Sequence, residues 1–126
     1  MRKFSARSLK NLEGIHPDLL AVVTLALEIS KVDFCVIEGI RTKQKQEQLV
    51  KAGASKTMNS RHLTGHAVDL APYIAGQIRF DWPPFYEIAR AMKEASHTLE
   101  IPVEWGGSWK FKDGPHFQLP WAQYPL

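Results

Sequence analysis

The sequence predicts a small α+β domain in which helices pack against a mostly antiparallel sheet. Apolar residues recur at helical spacing in two separate segments. Short β-branched and aromatic runs, bounded by glycine and proline, lie between and after those segments, as strands do. A chain of 126 residues with 44% hydrophobic and 23% charged residues has the size and composition of one globular unit. We therefore predict a single domain over residues 1–126.

The first core helix is predicted to begin at Pro17, which fits a first helical position. Asp18 complements the positive end of the helix dipole. His16, just before the helix, is predicted to be a cap or a surface residue without a catalytic role. One apolar face at i, i+3, i+4, i+7 and i+8 spacing is formed by Leu19, Val22, Val23, Ala26 and Leu27.

Two more helices are predicted further along the chain. Thr42 can cap a polar, peripheral helix at about residues 43–52. The proline pair at 83–84 ends the preceding strand, and an apolar stripe from Phe85 predicts a helix that runs to about Leu99.

The strands are predicted from β-branched and aromatic runs. Residues 34–40 form the first, and residues 67–74 the second. A two-residue turn at 75–76 then leads to a strand over 77–82, which completes a hairpin. The segment 101–117 is rich in glycine and proline and is predicted to hold short strands, whereas residues 53–59 are predicted to form a mobile loop of small residues.

Composition and charge exclude several classes of protein. The single cysteine, Cys35, rules out an internal disulfide and a thiolate-rich zinc cluster, and its apolar surroundings predict a small core residue. No apolar segment typical of a signal peptide follows Met1, and no stretch reaches the roughly 18 apolar residues that span a bilayer. We therefore expect synthesis in the cytoplasm, without stable insertion in a membrane.

The net charge of +3 and the pI near 9.1 suit an anionic partner such as nucleic acid, a membrane or a cell-wall polymer. These values do not choose among the three. No aromatic and basic motif of a nucleic-acid-binding domain is present, so we expect no nucleic-acid partner. A solvated, polar N-terminal arm is predicted from the basic residues Arg2, Lys3, Arg7 and Lys10.

The chemistry is predicted to centre on residues 60–69. Asp69 stands in an otherwise apolar strand, where an unpaired carboxylate would be costly to bury. A basic side chain, backbone donors or a metal ion could offset its charge. His62 precedes Asp69 by seven residues, and a bend at Gly65 can return it over the strand. His66 is predicted to face away from the site.

A second short motif supplies further candidates near the C-terminus. After the turn at Gly114, His116 and Gln118 share one face of a predicted strand, and Asp113 can fold back towards His116. His62, Asp69 and His116 then form a two-histidine, one-carboxylate set. Such a set suits catalytic zinc with one open position for water. Asp113 is left as the candidate general base.

These paired motifs resemble the signature of the zinc D-Ala-D-Ala-type peptidases (peptidase M15), and most of all that of the phage endolysins that are L-alanyl-D-glutamate peptidases. The signature residues are Ser60-x-His62-x-x-Gly65-x-Ala67-x-Asp69 with Asp113-x-x-His116. The resemblance extends over nearly the whole chain through Phe4-Ser5-x-Arg7-Ser8-Leu9, His16-Pro17-Asp18-Leu19, Gly39-x-Arg41 with Gln46, and Trp105-Gly106-Gly107-x-Trp109.

The resemblance implies a Hedgehog- and D-Ala-D-Ala-peptidase-like fold with the zinc site on the sheet. It implies one Zn²⁺ ion held by the two histidines and Asp69, with Asp113 as the catalytic acid/base. Arg41 resembles the family arginine that binds substrate or polarises its carbonyl. On the sequence alone, a surface ion pair between Arg41 and Glu38 is the alternative. Aspartate at position 113, where the dipeptidase and carboxypeptidase branches carry glutamate, favours the endolysin branch.

Several side chains have two interpretations. Trp105 and Trp109 flank a Gly-Gly turn, so each could line a substrate cleft or belong to the core. Ser60 could hydrogen-bond a metal ligand or cap the loop. Trp82 and Trp121 are interpreted as packing residues. We therefore predict Arg41, Ser60, Trp105 and Trp109 as candidate substrate-binding residues.

Three functions are compatible with these observations. The favoured one is an L-alanyl-D-glutamate endopeptidase acting on peptidoglycan stem peptides as a phage or prophage endolysin. The alternatives are a D,D-carboxypeptidase or D-Ala-D-Ala dipeptidase, and an inactive, zinc-stabilised wall-binding module. The expected absence of a signal peptide and of a separate wall-binding domain favours a small endolysin, which the resemblance implies is released through a permeabilised membrane. A monomer is the simple default for the oligomeric state.

Overall fold

The structure, a computed structural model, describes residues 2–55, 58, 60–110 and 112–125. Within them the chain alternates helices with the strands of a small antiparallel sheet. The helices are α1 (Ala6–Asn11), α2 (Pro17–Ile29), α3 (Lys43–Lys51) and α4 (Trp82–Leu99). The strands are β1 (Phe34–Glu38), β2 (Ala67–Ile74), β3 (Gln77–Ile78), β4 (Glu104–Trp105) and β5 (His116–Gln118). Two 3₁₀ helices cover Arg61–Thr64 and Gly106–Ser108.

β2 is the central strand of the sheet. The strand order is β1-β2-β5-β4, and β3 forms a hairpin with the far end of β2. The register sets Asp69 opposite Glu38 on one side and His116 on the other, with an irregularity between Val36 and Glu38 in β1. The central strand therefore places one carboxylate between two neighbouring strands that both carry polar residues. The predicted α+β fold with a mostly antiparallel sheet is confirmed.

One hydrophobic core joins the sheet to α2 and α4. Apolar burial is the main force that favours this arrangement, and the apolar face predicted for α2 is completely covered. The core side chains of α2 are Leu19, Val22, Val23, Ala26 and Leu27; those of α4 include Ile88, Ala91, Met92 and Ala95; those of the sheet include Val36, Val68, Leu70 and Phe117.

Local capping signals placed several element ends correctly. The ring of His16 accepts a hydrogen bond from the Asp18 backbone N–H at 3.1 Å, so His16 is the cap of α2. Thr42 accepts from the Lys45 backbone N–H and caps α3 in the same way. Both contacts satisfy N–H groups that have no partner inside the helix.

The N-terminal segment differs from the predicted solvated arm. It contains α1, capped by Ser5, and this helix docks on β1. The buried Ser8 hydroxyl accepts from the Val36 N–H at 3.0 Å, and the Asn11 side chain donates to the Val36 carbonyl at 2.8 Å. The arm is folded because its small polar side chains hydrogen-bond to the backbone of β1. A hydrophobic pattern does not reveal such contacts.

The hairpin and the helix after it also differ from the prediction. β3 ends at Ile78, and Trp82 is already the first residue of α4. Proline is tolerated in the first helical turn, where its missing N–H has no partner to lose, so the prolines at 83–84 begin the helix and do not precede it. Cys35 is only half-buried on β1.

The predicted mobile loop at 53–59 is only partly described, because Lys56, Thr57 and Asn59 lie outside the described residues. Among the helices of the described chain, none has the length and apolarity required to cross a membrane.

A tight turn depends on glycine at position 65. Gly65 ends the 3₁₀ helix with φ +76°, and a Cβ added there would lie 2.7 Å from the Gly14 carbonyl oxygen. Gly76 has a similar φ of +78°, but a Cβ added there would meet no atom within 4 Å. The two glycines share a backbone conformation and differ in their surroundings.

We predict that Gly65→Ala destabilises the protein more than Gly76→Ala. A left-handed conformation costs an L-residue roughly 1–2 kcal/mol, and both variants incur this cost. Only Gly65→Ala adds a clash with backbone. Urea unfolding of both variants and the wild type measures the difference, and an equal loss in the two variants would contradict the structural account.

Candidate metal and catalytic site

Three side chains converge over the middle of the sheet. The Asp69 Oδ1 atom lies 3.2 Å from His62 Nε2 and 3.4 Å from His116 Nδ1. One ligand atom from each residue can be chosen so that all three lie within 4.8 Å of one another. β2 and β5 place Asp69 and His116 side by side, and the 3₁₀ helix Arg61–Thr64 returns His62 over the strand.

Three hydrogen bonds, two to its main chain and one to its ring, hold His62 in position. The Ser60 hydroxyl accepts from the His62 backbone N–H, and the His62 carbonyl accepts from the Arg41 N–H at 2.9 Å. The ring donates its Nδ1–H to the Gly39 carbonyl at 2.8 Å, because a carbonyl oxygen can only accept. The other ring nitrogen, Nε2, therefore faces Asp69 Oδ1.

The charges of these groups are coupled. Burial raises the pKa of the Asp69 carboxyl, but hydrogen bonds and charge from His116 and His62 outweigh it and hold that pKa well below its ordinary value. Burial lowers the pKa of His116, but the hydrogen bond and the charge of Asp69 raise it by more, so the net shift is upward. The site therefore keeps a negative charge at Asp69 and favours positive charge beside it.

The donor set fits a zinc ion. Two imidazole nitrogens and one carboxylate oxygen are a common ligand set of catalytic zinc, which leaves a fourth position open. His62 Nε2 and His116 Nδ1 both face Asp69 Oδ1, and each ring nitrogen on the opposite side is already occupied by a hydrogen bond. Each ring nitrogen lies 3.2 or 3.4 Å from Asp69 Oδ1, a spacing expected of two ligand atoms that are each about 2 Å from one ion.

Asp113 lies in the turn before β5 and lines the cleft that also contains the His62, Asp69 and His116 group. Its backbone N–H donates to the Gly106 carbonyl at 2.9 Å, and its carbonyl accepts from the His116 N–H at 3.2 Å. Burial raises the pKa of the Asp113 carboxyl, and the charge of Asp69 raises it further, against a smaller opposing effect of His116, His62 and Arg41. A carboxylate with a raised pKa is a better proton acceptor.

Arg41 also lines the cleft, and its ion pair with Glu38 is present as well. Its Nε donates to Glu38 Oε1 at 2.6 Å, and its Nη1 donates to Gln46 Oε1 at 2.7 Å. The two interpretations of Arg41 are therefore compatible, because the ion pair holds the guanidinium at the wall of the cleft.

The structure separates the two tryptophans of the Gly-Gly turn. Trp109 lines the cleft, which has a volume of about 570 Å³, and its ring centroid lies 5.0 Å from that of His116. Trp105 instead stacks on Phe117, and its Nε1–H donates to the Gly114 carbonyl. Trp105 lines a different cavity, of about 560 Å³, next to α4. Ser60 lines the first cleft and caps the 3₁₀ helix.

His66 lies outside the ligand group, as predicted. Its Nδ1 is 2.7 Å from the Thr64 hydroxyl, and its ring packs near His16 and Tyr124. The Tyr124 hydroxyl donates to the Asp18 carboxylate at 2.7 Å. These contacts tie the C-terminal segment to the start of α2.

Sequence reasoning missed Arg61. Its side chain is almost completely buried and donates to the carbonyls of residues 119, 120 and 124, at distances of 2.6 to 3.3 Å. Its guanidinium carbon lies 4.0 Å from the ring centroid of Trp121. Burial lowers the pKa of this guanidinium. No local pattern identifies such a residue, because its partners are main-chain carbonyls about sixty positions away.

The sequence predicts Trp121 as a packing residue, and its ring does stack on Arg61. It also lines the cleft and is 42% exposed. Arg61 therefore fixes one wall of the cleft by holding the segment that carries Trp121.

An antiparallel sheet with a His–Asp–His group that could hold a metal ion, and with a further carboxylate in the same cleft, is typical of metallopeptidases. Residues 1–119 match the family model described as phage L-alanyl-D-glutamate peptidase. The chain therefore belongs to the phage L-alanyl-D-glutamate peptidase family, whose members named below are hydrolytic enzymes. The resemblance predicted from the paired motifs is confirmed.

Individual relatives agree with this assignment. The chain is 34% identical to the L-alanyl-D-glutamate peptidase of Escherichia phage T5, over 97% of this chain and 92% of that protein. It is 33% identical to the L-alanyl-D-glutamate peptidase of Listeria phage A118, over 96% of this chain and 43% of that protein. The crystal structure of the Serratia marcescens L-Ala D-Glu endopeptidase ChiX superimposes with a TM-score of 0.94 at 51% identity, covering 98% of this chain and 93% of that one.

We predict that Arg61→Met destabilises the fold and loosens the C-terminal segment. A buried acceptor left without its donor costs about 1–3 kcal/mol, and several carbonyls lose the guanidinium at once. Urea unfolding gives the loss of stability, and hydrogen exchange of the amides after residue 119 reports the loosening.

The matched control is Arg79→Met. Arg79 is 44% exposed and pairs with Asp81 on the surface, where an ion pair contributes only about 0–1 kcal/mol. Equal stability of the two variants would show that the buried guanidinium does not hold the segment.

Proposed function

We propose that this protein is a zinc endopeptidase that hydrolyses the L-alanyl-D-glutamate bond of peptidoglycan stem peptides. One observation carries the proposal: His62, Asp69 and His116 meet in one cleft with Asp113, in a chain of the phage L-alanyl-D-glutamate peptidase family. The geometry supports the proposal, because a group that could hold a metal ion and a separate carboxylate in the same cleft are the parts that metal-assisted amide hydrolysis requires.

One Zn²⁺ ion would be held by His62 Nε2, the Asp69 carboxylate and His116 Nδ1. When bound, zinc acts as a Lewis acid and lowers the pKa of a coordinated water to about 7. The protein contributes the orientation of both imidazoles and the negative charge that offsets part of the charge of the ion.

Asp113 is the general base and then the general acid of the proposal. Its carboxylate accepts a proton from the water that attacks the peptide carbonyl and returns it to the leaving amine. Burial and the charge of Asp69 favour this role, because they raise the pKa of Asp113 and make proton uptake easier. Its backbone contacts with Gly106 and His116 fix the carboxylate relative to the ligand set.

Arg41 binds and orients the substrate in this proposal. Its guanidinium is held by Glu38 and Gln46 and stays at the cleft wall without reorganisation. Stem peptides carry free carboxylates, so the cationic side chains of Arg41 and Lys45 along this wall suit them. Ser60 and Trp109 complete the candidate substrate contacts.

We further propose that the protein acts as a monomer on the cell wall during phage-induced lysis, after release through a permeabilised membrane. Two of its relatives are peptidases of phages, which supports a role in lysis. The proposed partner is the peptidoglycan stem peptide, and one Zn²⁺ ion per chain is the proposed cofactor.

We predict that Asp113→Asn lowers turnover by about 10²–10⁴ because it removes a positioned acid/base. Zinc content should remain at one ion per chain, since Asp113 is not among the three ligands. His116→Ala should lose both zinc and activity. Assays on isolated peptidoglycan together with metal analysis check each variant.

Asp81→Asn is the matched control for Asp113→Asn, because Asp81 is an exposed aspartate before α4. It should keep both turnover and zinc. Full activity of Asp113→Asn would show that the proton carrier is another group.

We predict that digestion of purified peptidoglycan creates new N-terminal D-glutamate ends. Mass spectrometry of the released fragments detects them directly. Release of D-alanine would identify a carboxypeptidase or dipeptidase with the same zinc chemistry. Unchanged fragments, obtained with zinc-loaded protein, would indicate a wall-binding module without activity.

A further inference from the structure

We infer that Gln118 is a positioning residue that sets which nitrogen of His116 faces the metal. The inference rests on the proposed zinc site and adds a residue that acts on it from behind. Gln118 does so through His116, because its amide oxygen accepts a hydrogen bond from the ring nitrogen that faces away from the metal site.

The contact between the two side chains is short and buried. His116 and Gln118 lie two residues apart on β5, so both side chains leave the same face of the strand. The Gln118 Oε1 atom lies 2.7 Å from His116 Nε2, and each residue is only 7% exposed. The opposite ring nitrogen, Nδ1, faces Asp69 Oδ1 at 3.4 Å.

A second contact fixes the direction of the Gln118 amide. β4 pairs Glu104 directly opposite Gln118, and the Gln118 Nε2 atom donates to Glu104 Oε1 at 3.4 Å. A flipped amide would direct its oxygen at the Glu104 carboxylate, and this contact between two acceptors would be repulsive. Glu104 therefore selects the orientation in which the amide oxygen faces His116.

The orientation of the amide determines the tautomer of His116. Because Oε1 can only accept, His116 Nε2 keeps its proton when the ring is neutral, as it must be to bind a metal ion, and the Nδ1 lone pair is then available to a cation beside Asp69. In the other tautomer, Nδ1 would carry a proton directed at Asp69, and an incoming metal ion would have to displace it. Gln118 therefore favours the form of His116 that is ready to bind.

The two histidines are oriented by different means. The ring nitrogen of His62 that faces away from Asp69 donates to the main-chain carbonyl of Gly39, which no substitution removes. The corresponding nitrogen of His116 donates to a side chain, so the contribution of that hydrogen bond can be measured by mutation. Groups that orient a metal-binding histidine in this way typically contribute 10–100-fold in metal affinity or activity.

The test compares the zinc affinity of variants by competition with a chromogenic chelator. Gln118→Met keeps the length of the side chain and removes the acceptor, so zinc affinity should fall by about 10–100-fold. The double variant Glu104→Gln, Gln118→Glu reverses the donor and acceptor of the second contact but still presents an oxygen to His116. It should restore wild-type affinity. Gln77→Met, an exposed position on β3, is the control and should bind zinc as the wild type does.

Thermal unfolding of the metal-free proteins separates positioning from packing. The inference holds when Gln118→Met binds zinc weakly but the double variant binds it well, with similar metal-free stability. It fails if Gln118→Met binds zinc as the wild type does, or if the double variant is equally impaired. If Gln118→Met does not fold, the zinc affinity of the double variant decides: wild-type affinity supports the inference, and a weakened affinity contradicts it. A wild-type protein that binds no zinc would overturn the proposed function itself, which is a separate result.

Discussion

A carboxylate in the middle of the sheet constrains the rest of this structure. Asp69 lies on the strand that pairs with β1, β3 and β5, among apolar neighbours where an isolated negative charge would be costly. His62 and His116 offset that charge from two directions, at 3.2 and 3.4 Å. The register of β5 and the tight turn after the 3₁₀ helix are both required to bring them there. The ring nitrogens that face Asp69 are also the atoms that would bind the proposed zinc ion, which would take the place of their protons. Folding and metal binding therefore depend on the same side chains.

The N-terminal helix contributes to the site although it contains none of the candidate ligands. Asn11 donates to the Val36 carbonyl on β1, which anchors the end of α1 beside Gly39. A Cβ at Gly39 would lie 1.8 Å from the Asn11 carbonyl oxygen, so the two backbones are in direct contact. The Gly39 carbonyl is the group that orients His62. A displacement of α1 would therefore reach the ligand set through main-chain contacts.

Local signals in the sequence explain what could be predicted. Capping by Thr42 and the apolar run with one acidic residue, Asp69, depend on neighbours within a few positions, and the structure reproduces both elements. Ser8 and Arg61 could not be recognised, because their partners are backbone groups 28 and 58 or more residues away. Trp105 and Trp109 each have two interpretations in the sequence for the same reason. Only the tertiary structure shows that Trp109 lines the cleft and that Trp105 packs on Phe117.

Arg41 and Asp113 show how the proposed site combines two kinds of support. Two of the five N–H donors of Arg41 are used by Glu38 and Gln46 among the described residues, so part of its charge is offset and its plane is fixed. Asp113 is instead held through its backbone, in the turn that also delivers His116. Its carboxylate is left to exchange a proton, while the position of the chain is set. Because the proposed ligand and the proposed proton carrier share this turn, we expect a change in its backbone to alter metal binding and proton transfer together. Only side-chain substitutions such as those at position 113 can separate the two roles.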